Sequence, residues 1–240
     1  MLHAAAPLTA NQLCSLAREG EVSATLGALC RYITGIDGYL VSNGLVLHAT
    51  ANDRPLVSLS SGMADIGVCR TSEDSVLVHL GLRLSQVYGV SESEPFALRQ
   101  AIAATAVRLG LLALALDTAF RHLEPRQSFG RKVLHHQLVK AHFTASHDLI
   151  SRRLEELALI ETGGGFVYDA GVQDEISSHF TNASKLMGGH GFLLRGINTI
   201  EYLASLIRAL YANPARSPGP YEITTQGYIT QAQPMARGVQ

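Results

Sequence analysis

The segment from Ser93 to His122 limits the possible folds more than any other part of the chain. It is dense in alanine and leucine, carries apolar side chains on nearly every helical face, and is closed by Pro125. A helix that is apolar all round has to be covered by several neighbours. Its most apolar run, Leu109 to Leu116, is far too short to cross a bilayer. The segment therefore predicts the central helix of a helical bundle.

Three more helical segments follow, at about 132–160, about 172–187 and about 196–211. The first of them carries apolar residues at three-to-four spacing, which predicts a face directed at the core: Leu134, Leu138, Ala141, Ala145 and Leu149. Short links join the four helical segments. This order is typical of an up-down four-helix bundle.

The chain before the bundle changes from helical to β-prone patterns. Residues 8–35 are predicted to be helical, with Thr9 as a cap. Short β-prone runs follow at 39–42, 45–50, 55–60, 66–70 and 75–80, separated by turn pairs such as Asn43-Gly44. These runs predict a small antiparallel β unit. The predicted class is α+β, divided into a short helical N-terminal remnant (1–37), a small β domain (38–91), the four-helix bundle (92–213) and a C-terminal arm (214–240).

Composition narrows the classes of function. A net charge of −1 gives no reason to expect nucleic acid or an anionic membrane as a partner. The three cysteines show no CxxC spacing, which favours free thiols in a reducing compartment, and the N-terminus shows no secretory pattern. We therefore expect a cytoplasmic protein. The histidines form no pair of E-x-x-H motifs, so we predict no metal site.

Two short motifs carry the functional signal. The first, R-Q-S-F-G-R-K-V-L-H-H-Q, runs from Arg126 to Gln137 between two helical segments. Its arginine offers a fixed cation to an anionic group, and Phe129-Gly130 predicts a tight turn. The second, K-L-M-G-G-H-G-F, runs from Lys185 to Phe192, and its glycines allow another backbone or a ligand to come close.

Together these motifs resemble those of the C-terminal helical domain of the acyl-CoA dehydrogenases, flavoproteins that desaturate acyl thioesters. That family has an R-x-Q/T-F-G turn followed by H-Q, and further on Q-x-x-G-G-x-G-[FY]. The likeness covers residues 95–205 well and 38–90 weakly. One departure is Lys185, which stands where the family usually has glutamine.

The resemblance implies an FAD extended between the β unit and the bundle and reaching across a subunit interface. Arg126 would then pair with the pyrophosphate, and Ser128 and Phe129 would contact the flavin from the same turn. His136 matches the family histidine. Gln137 and the Gly188-Gly189 turn would approach the adenine end of a cofactor held by a neighbouring subunit.

The resemblance also implies a glutamate base that removes the proton α to the thioester. Counting without gaps from the second motif reaches Ala212, which has no ionisable group. A gapped count reaches Tyr221-Glu222 and makes Glu222 the predicted base. A second family location for the base, on the first bundle helix, falls on Gln100.

Three functions stay open from the sequence. The first is flavin-dependent α,β-dehydrogenation of an acyl thioester carried on CoA or a carrier protein. The second is a catalytically degenerate partner subunit that supplies half of a shared flavin site beside a full-length relative. The third is a repurposed, flavin-free enzyme on the same fold. The N-terminal helical region is shorter than the family's, which favours the second function. By analogy with the family, we expect a homo-oligomer or a hetero-oligomer.

Overall fold

The computed structural model describes residues 8–51, 54–59, 67–89, 98–163, 171–193, 196–212, 221–223 and 229–231. Its helices are α1 (Ala10–Glu19), α2 (Val22–Thr34), α3 (Ser75–His79), α4 (Leu98–Leu123), α5 (Gln137–Glu161), α6 (Gly171–Leu186) and α7 (Ile197–Tyr211). Its strands are β1 (Tyr39–Ser42), β2 (Leu45–Ala49), β3 (Leu56–Val57), β4 (Gly67–Thr71), β5 (Leu82–Tyr88), β6 (Gln127–Ser128), β7 (Arg131–Lys132), β8 (Tyr221–Ile223) and β9 (Ile229–Gln231). Two short 3-10 helices cover Val133–His135 and Gly188–Phe192.

Helix α4 is the centre of the structure, as its uniform apolarity predicts. It contacts α1, α2, α5, α6 and α7. By length and composition Arg99–Leu123 would suffice for a membrane span, but 83% of its most apolar window is buried inside the protein. Burial on that scale is what a core helix shows. Residues 93–97, the predicted start of this helix, lie outside the described residues.

The N-terminal region forms two helices where the sequence suggested one. Thr9 caps α1 with a capping box: its side chain accepts from the Gln12 backbone N–H, and the Gln12 side chain accepts from the Thr9 backbone. Gly20, in the left-handed conformation at φ 92°, ends α1, and α2 starts two residues later. Helix α1 packs on α4 at Gly110, where a Cβ would overlap the Cys14 carbonyl oxygen.

The main sheet has five strands in the order β3-β1-β2-β5-β4. Neighbouring strands are antiparallel except β1 and β3, which run parallel. The predicted small antiparallel β unit is present, and the parallel pairing of β1 with β3 departs from it. Asn43-Gly44 forms the β1–β2 hairpin turn as predicted, with φ values of 50° and 72°.

The run 75–80 was predicted to be a strand and is helix α3 instead. The side chain of Asp74 accepts hydrogen bonds from the backbone N–H groups of Val76 and Leu77, which caps a helix at this point. The fifth strand is β5, which the sequence reading missed. The predicted run 55–60 is shortened to β3, and the predicted run 66–70 becomes β4, which starts and ends one residue later.

Strands β1 and β2 are buried along their whole length, which means that both faces of the sheet are covered there. Helix α2 packs against β1 and β2. The end of α7 reaches β1 from the bundle, where the Tyr211 hydroxyl donates to the Leu40 carbonyl oxygen at 3.0 Å. The sheet and the bundle thus share one continuous core.

Candidate functional site

The first motif folds into a hairpin at the corner between α4 and α5. Gln127 pairs with Lys132, and Ser128 pairs with Arg131, around a two-residue turn at Phe129-Gly130. The positive φ values of 52° and 74° at these two residues are those of a type I′ turn, which suits tight hairpins. The motif therefore fixes a preformed, projecting loop.

Phe129 is unusual in two respects. It adopts the left-handed conformation, which disfavours non-glycine residues, and 96% of its surface is exposed. A large aromatic side chain that stays exposed contributes no hydrophobic stabilisation to the fold. The residue type is therefore not explained by the folding of a single chain, and this is what a surface built to meet a ligand or a second subunit would show.

Arg126 stands at the base of the hairpin. Its backbone N–H donates to the Leu123 carbonyl at the end of α4, and its carbonyl accepts from Val133 N–H, so the backbone is fixed on both sides. The side chain is exposed, and its guanidinium forms no ion pair with any residue of the described ranges. A cation on a fixed backbone is thus presented to the outside of the chain.

His136 and Gln137 begin α5 next to the hairpin. His136 is the N-cap residue, and its Nε2 lies 3.3 Å from the Ser128 carbonyl oxygen, which ties the helix start to the loop. Gln137 is the first residue of the helix and is exposed. The structure therefore brings these two and the Arg126–Phe129 loop onto one surface.

The glycines of the second motif differ in the reason for their presence. Gly188 has φ 57°, a conformation that favours glycine. Gly191 is buried, and a Cβ there would overlap the Ser184 carbonyl oxygen. Gly189 has neither constraint: it is exposed and a Cβ would meet nothing within 4 Å. The absence of a side chain at Gly189 therefore leaves room that none of the described residues fills.

The two motifs meet through a pair of histidines. His122, one helical turn before Arg126, lies against His190 of the second motif, with ring centroids 5.1 Å apart and ring planes tilted by 46°. Burial, the Arg126 charge and the His190 charge together lower the pKa of His122 below its usual value. All predicted cofactor residues thus lie at one end of the bundle. Sequence reasoning missed both histidines, although the i, i+4 spacing of His122 and Arg126 was a usable signal.

The ungapped and first-helix positions for the base, Ala212 and Gln100, converge at the opposite end of the bundle. Gln100 on α4 is buried, and its Nε2 donates to Ser42 Oγ at 3.4 Å. Ser42 Oγ in turn donates to the Leu210 carbonyl oxygen at 2.7 Å, two residues before Ala212. Neither position carries an ionisable group, and both are closed off from solvent.

Glu222 lies in β8, where its backbone pairs with Thr230 of β9. Its side chain lies outside the described part of the structure. The assignment of Glu222 as base therefore stays a prediction.

A dinucleotide flavin can be compared with these surfaces end by end. At the hairpin end, the exposed Arg126 guanidinium and the open space at Gly189 fit a pyrophosphate. At the other end, the expected cleft between sheet and bundle is packed around Ser42, Gln100 and Tyr211, all of them buried. The described residues of one chain therefore offer an exposed cation and open backbone at the hairpin end, and leave no space for a flavin ring system beside Gln100.

A cavity of about 620 Å³ lies away from both motifs. Its polar lining includes Arg99, Tyr32 and Glu161, and the Tyr32 hydroxyl donates to Glu161 Oε1 at 2.7 Å. Arg99 lies over the Tyr32 ring, 5.6 Å from its centroid. The cavity contains none of the predicted site residues.

Comparison with known proteins places the fold. No family model matches the chain, and no curated protein matches it in sequence. Among solved structures, 23 chains match. Butyryl-CoA dehydrogenase from Megasphaera elsdenii superimposes with a TM-score of 0.53 at 12% identity, over 84% of this chain and 76% of that one. The chain thus has an acyl-CoA dehydrogenase-like fold.

A second match is to the electron transferring flavoprotein of Acidaminococcus fermentans. Its TM-score is 0.42 at 13% identity, over 74% of this chain and 60% of that one. A likeness this distant supports no conclusion. At such identities the first match shows the fold alone, and function has to be argued from the site.

Proposed function

We propose that this chain is a flavin-binding subunit of an acyl-CoA dehydrogenase-like oligomer. In this assembly the surface at the hairpin end holds the nucleotide half of an FAD that a neighbouring subunit also contacts. The observation that carries the proposal is the convergence of the two motifs: Arg126, Phe129 and Gly189 are all exposed on one end of the bundle. The acyl-CoA dehydrogenase-like fold supports the choice of cofactor.

Each residue has a role that its chemistry allows. The Arg126 guanidinium would pair with the pyrophosphate in a two-pronged, charge-assisted contact. Phe129 and Ser128 would line the same cofactor from the hairpin, and Gln137, next to His136 at the start of α5, would hydrogen-bond at the adenine end. The open backbone at Gly188-Gly189 would let the nucleotide lie close to the chain. Bound FAD would supply the acceptor for the hydride that leaves the β carbon of an acyl thioester.

Replacing Arg126 with glutamine tests the proposal. The purified wild-type chain should show the absorbance band of oxidised flavin, and Arg126→Gln should lose it, because a fixed cation is removed from the pyrophosphate. We expect FAD affinity to fall about 10- to 100-fold, on the scale of a charge-assisted hydrogen bond. Arg121→Gln is the matched control, since Arg121 is also exposed near the end of α4 and lies outside the motif.

Two results would count against this assignment. A colourless wild-type protein that takes up no FAD when the cofactor is added would remove flavin binding altogether. Flavin retained equally by Arg126→Gln and Arg121→Gln would remove Arg126 from the site.

The reaction depends on whether this chain supplies a base. In flavin-dependent dehydrogenation of an acyl thioester, we assign the removal of the α proton to Glu222. The Glu222→Gln variant should then keep the flavin band and lose desaturation of acyl-CoA by about 100-fold or more, the usual effect of a general base. Full activity of this variant would reject the assignment.

A second candidate function is a partner subunit that shares its cofactor surface but does not catalyse. The packing around Ser42 favours it, because Ala212 and Gln100 occupy the ungapped and first-helix positions for the base and the space between them is closed. Such a chain would be inactive alone and would co-purify with a longer relative that retains the glutamate. Desaturation by a homo-oligomer of this chain would rule it out.

A further inference from the structure

The cavity between α1, α2, α4 and α5 carries two opposite charges that do not meet. Arg99 lies at the start of α4 and Glu161 at the end of α5, and both side chains line the cavity. In the part of the chain that the structure describes, they form no ion pair with each other or with a third residue. Each charge is therefore able to take a partner from outside the chain.

Tyr32 fixes the carboxylate and separates it from the guanidinium. Its ring faces Arg99, whose guanidinium carbon lies 5.6 Å from the ring centroid, and its hydroxyl donates to Glu161 Oε1 at 2.7 Å. The same oxygen accepts from the Ala10 backbone N–H at 2.9 Å. Burial and then the Glu161 carboxylate raise the pKa of Tyr32, so its hydroxyl stays protonated and keeps donating. The carboxylate is thus oriented through one oxygen, and Oε2 has no hydrogen-bond partner among the described residues.

The rest of the lining is mostly apolar. Ile102 is buried, and Leu8, Ala158 and Ile160 are partly buried around the same space. The volume of about 620 Å³ is that of a small-molecule site, and such sites combine apolar walls with a few fixed polar groups. A ligand that fills this cavity therefore needs an apolar body.

Neither a simple anion nor a metal ion suits this pair of charges. Glu161 would repel an anion placed at Arg99, and Arg99 would repel a cation placed at Glu161. The described residues also contain no group of three or more potential metal ligands. A molecule that carries both a carboxylate and an ammonium group would be attracted by both side chains.

We infer that this cavity binds a small zwitterion with an apolar body, such as an α-amino acid of the size of leucine. The ligand's carboxylate pairs with Arg99, and its ammonium group pairs with Glu161 Oε2. Its side chain lies against Ile102 and Ile160, and Tyr32 is a positioning residue. The site lies at the end of the bundle opposite to the hairpin and shares no residue with either motif. It therefore does not depend on the binding of flavin.

Leucine and three analogues test the inference. Isocaproate lacks the amine, leucinamide lacks the carboxylate, and glycine lacks the apolar body. Binding to the purified full chain is measured by calorimetry at about pH 6.5, where the α-amino groups are protonated. We expect a dissociation constant below about 1 mM for leucine. Isocaproate and leucinamide should each bind about 10-fold more weakly or worse, because each lacks one charge-assisted contact, and glycine about 10-fold more weakly because it buries no side chain.

Substitutions assign the two contacts separately. Arg99→Gln should weaken leucine about 10-fold and leave leucinamide unchanged. Glu161→Gln keeps the oxygen that accepts from Tyr32 and loses only the charge, so the variant should fold and bind leucine no better than isocaproate. Arg83→Gln and Glu155→Gln are the matched controls, since both residues are exposed and lie outside the cavity.

Four results would overturn the inference. They are the absence of saturable leucine binding to the folded wild type, equal affinity for leucine and isocaproate, full affinity in Arg99→Gln, and equal loss in the control variants. Arg126→Gln should bind leucine as the wild type does. The flavin site and the zwitterion site can therefore fail independently.

Discussion

Phe129 occupies a backbone conformation that most side chains avoid, in a turn that a glycine would form with less strain. Its neighbour Gly130, at φ 74°, has no such strain, whereas Phe129 at φ 52° costs of order 1 kcal/mol. The side chain regains nothing by burial, since 96% of it is exposed. Phe129 therefore lowers the free energy of unfolding of the isolated chain.

Substituting Phe129 with glycine should separate stability from binding. We expect Phe129→Gly to leave the free energy of unfolding unchanged or to raise it by about 0.5–1 kcal/mol, because the strain is relieved. Flavin retention should fall. Urea unfolding gives the first quantity and the flavin absorbance gives the second.

Asn43→Gly is the matched control, because Asn43 holds the same turn position in the β1–β2 hairpin with φ 50°. Asparagine tolerates this conformation, so the change in stability should be only a few tenths of a kcal/mol. A loss of more than about 1 kcal/mol in Phe129→Gly would mean that the ring packs within the folded chain.

At the level of single residues, the spacing of the motifs selects Arg126 and the Gly188-Gly189 pair as candidates, and their roles stay predictions. This spacing gave no means of separating Gly189, which nothing in the fold requires, from Gly191, which packing requires. That distinction depends on contacts with Ser184 in three dimensions, and these leave no trace in a motif.

Among the elements, the long helices were predictable and the small ones were not. Helices α6 and α7 start and end within a residue of the predicted bounds, because continuous periodicity marks them. Helix α3 was mistaken for a strand, because β-branched residues in so short a run suit either structure. The Asp74 side chain decides between them by capping the first turn.

The contact between α1 and α4 depends on one glycine. A methyl group on Gly110 would overlap the Cys14 carbonyl oxygen and crowd Ala17 Cβ. Because both helices are rigid at this point, Gly110→Ala should destabilise the protein by about 2–3 kcal/mol, even though alanine favours helix. Chemical unfolding monitored by circular dichroism measures this change.

Ser15→Ala, on the exposed side of α1, is the control for Gly110→Ala and should change stability by less than about 0.5 kcal/mol. A neutral or stabilised Gly110→Ala variant would show that α1 does not approach α4 so closely.

For the whole molecule, the most informative error concerns the direction that α5 faces. The stripe at Leu138, Ala141 and Ala145 was predicted to be core, yet all three residues are exposed, and 72% of Leu138 is accessible. Periodicity identifies an apolar face but cannot say whether the partner is the same chain or another one. The stripe begins beside Gln137, at the end of the bundle that carries both motifs.

A charged side chain on this stripe should weaken the association of subunits. We expect Leu138→Lys to shift the protein from an oligomer toward monomers, with subunit affinity reduced about tenfold or more, because a buried lysine at an interface has no partner. Size-exclusion chromatography with light scattering measures the mass.

Leu159→Lys is the matched control, since Leu159 is 64% exposed at the far end of the same helix. A wild-type chain that is monomeric at all concentrations would refute the prediction, as would equal dissociation of the two variants.

The two ends of the bundle are separated by the length of α7, about 20 Å from its first to its last residue. One end presents the Phe129-Gly130 hairpin, and the other holds the Ser42–Gln100 contact. If cofactors are shared in this way, damage to the hairpin of one chain would impair its neighbour's centre and leave its own intact. In mixed assemblies each altered hairpin would disable one centre, so activity would fall in proportion to the mutant fraction, and a chain altered in the hairpin could complement a chain altered at the opposite end.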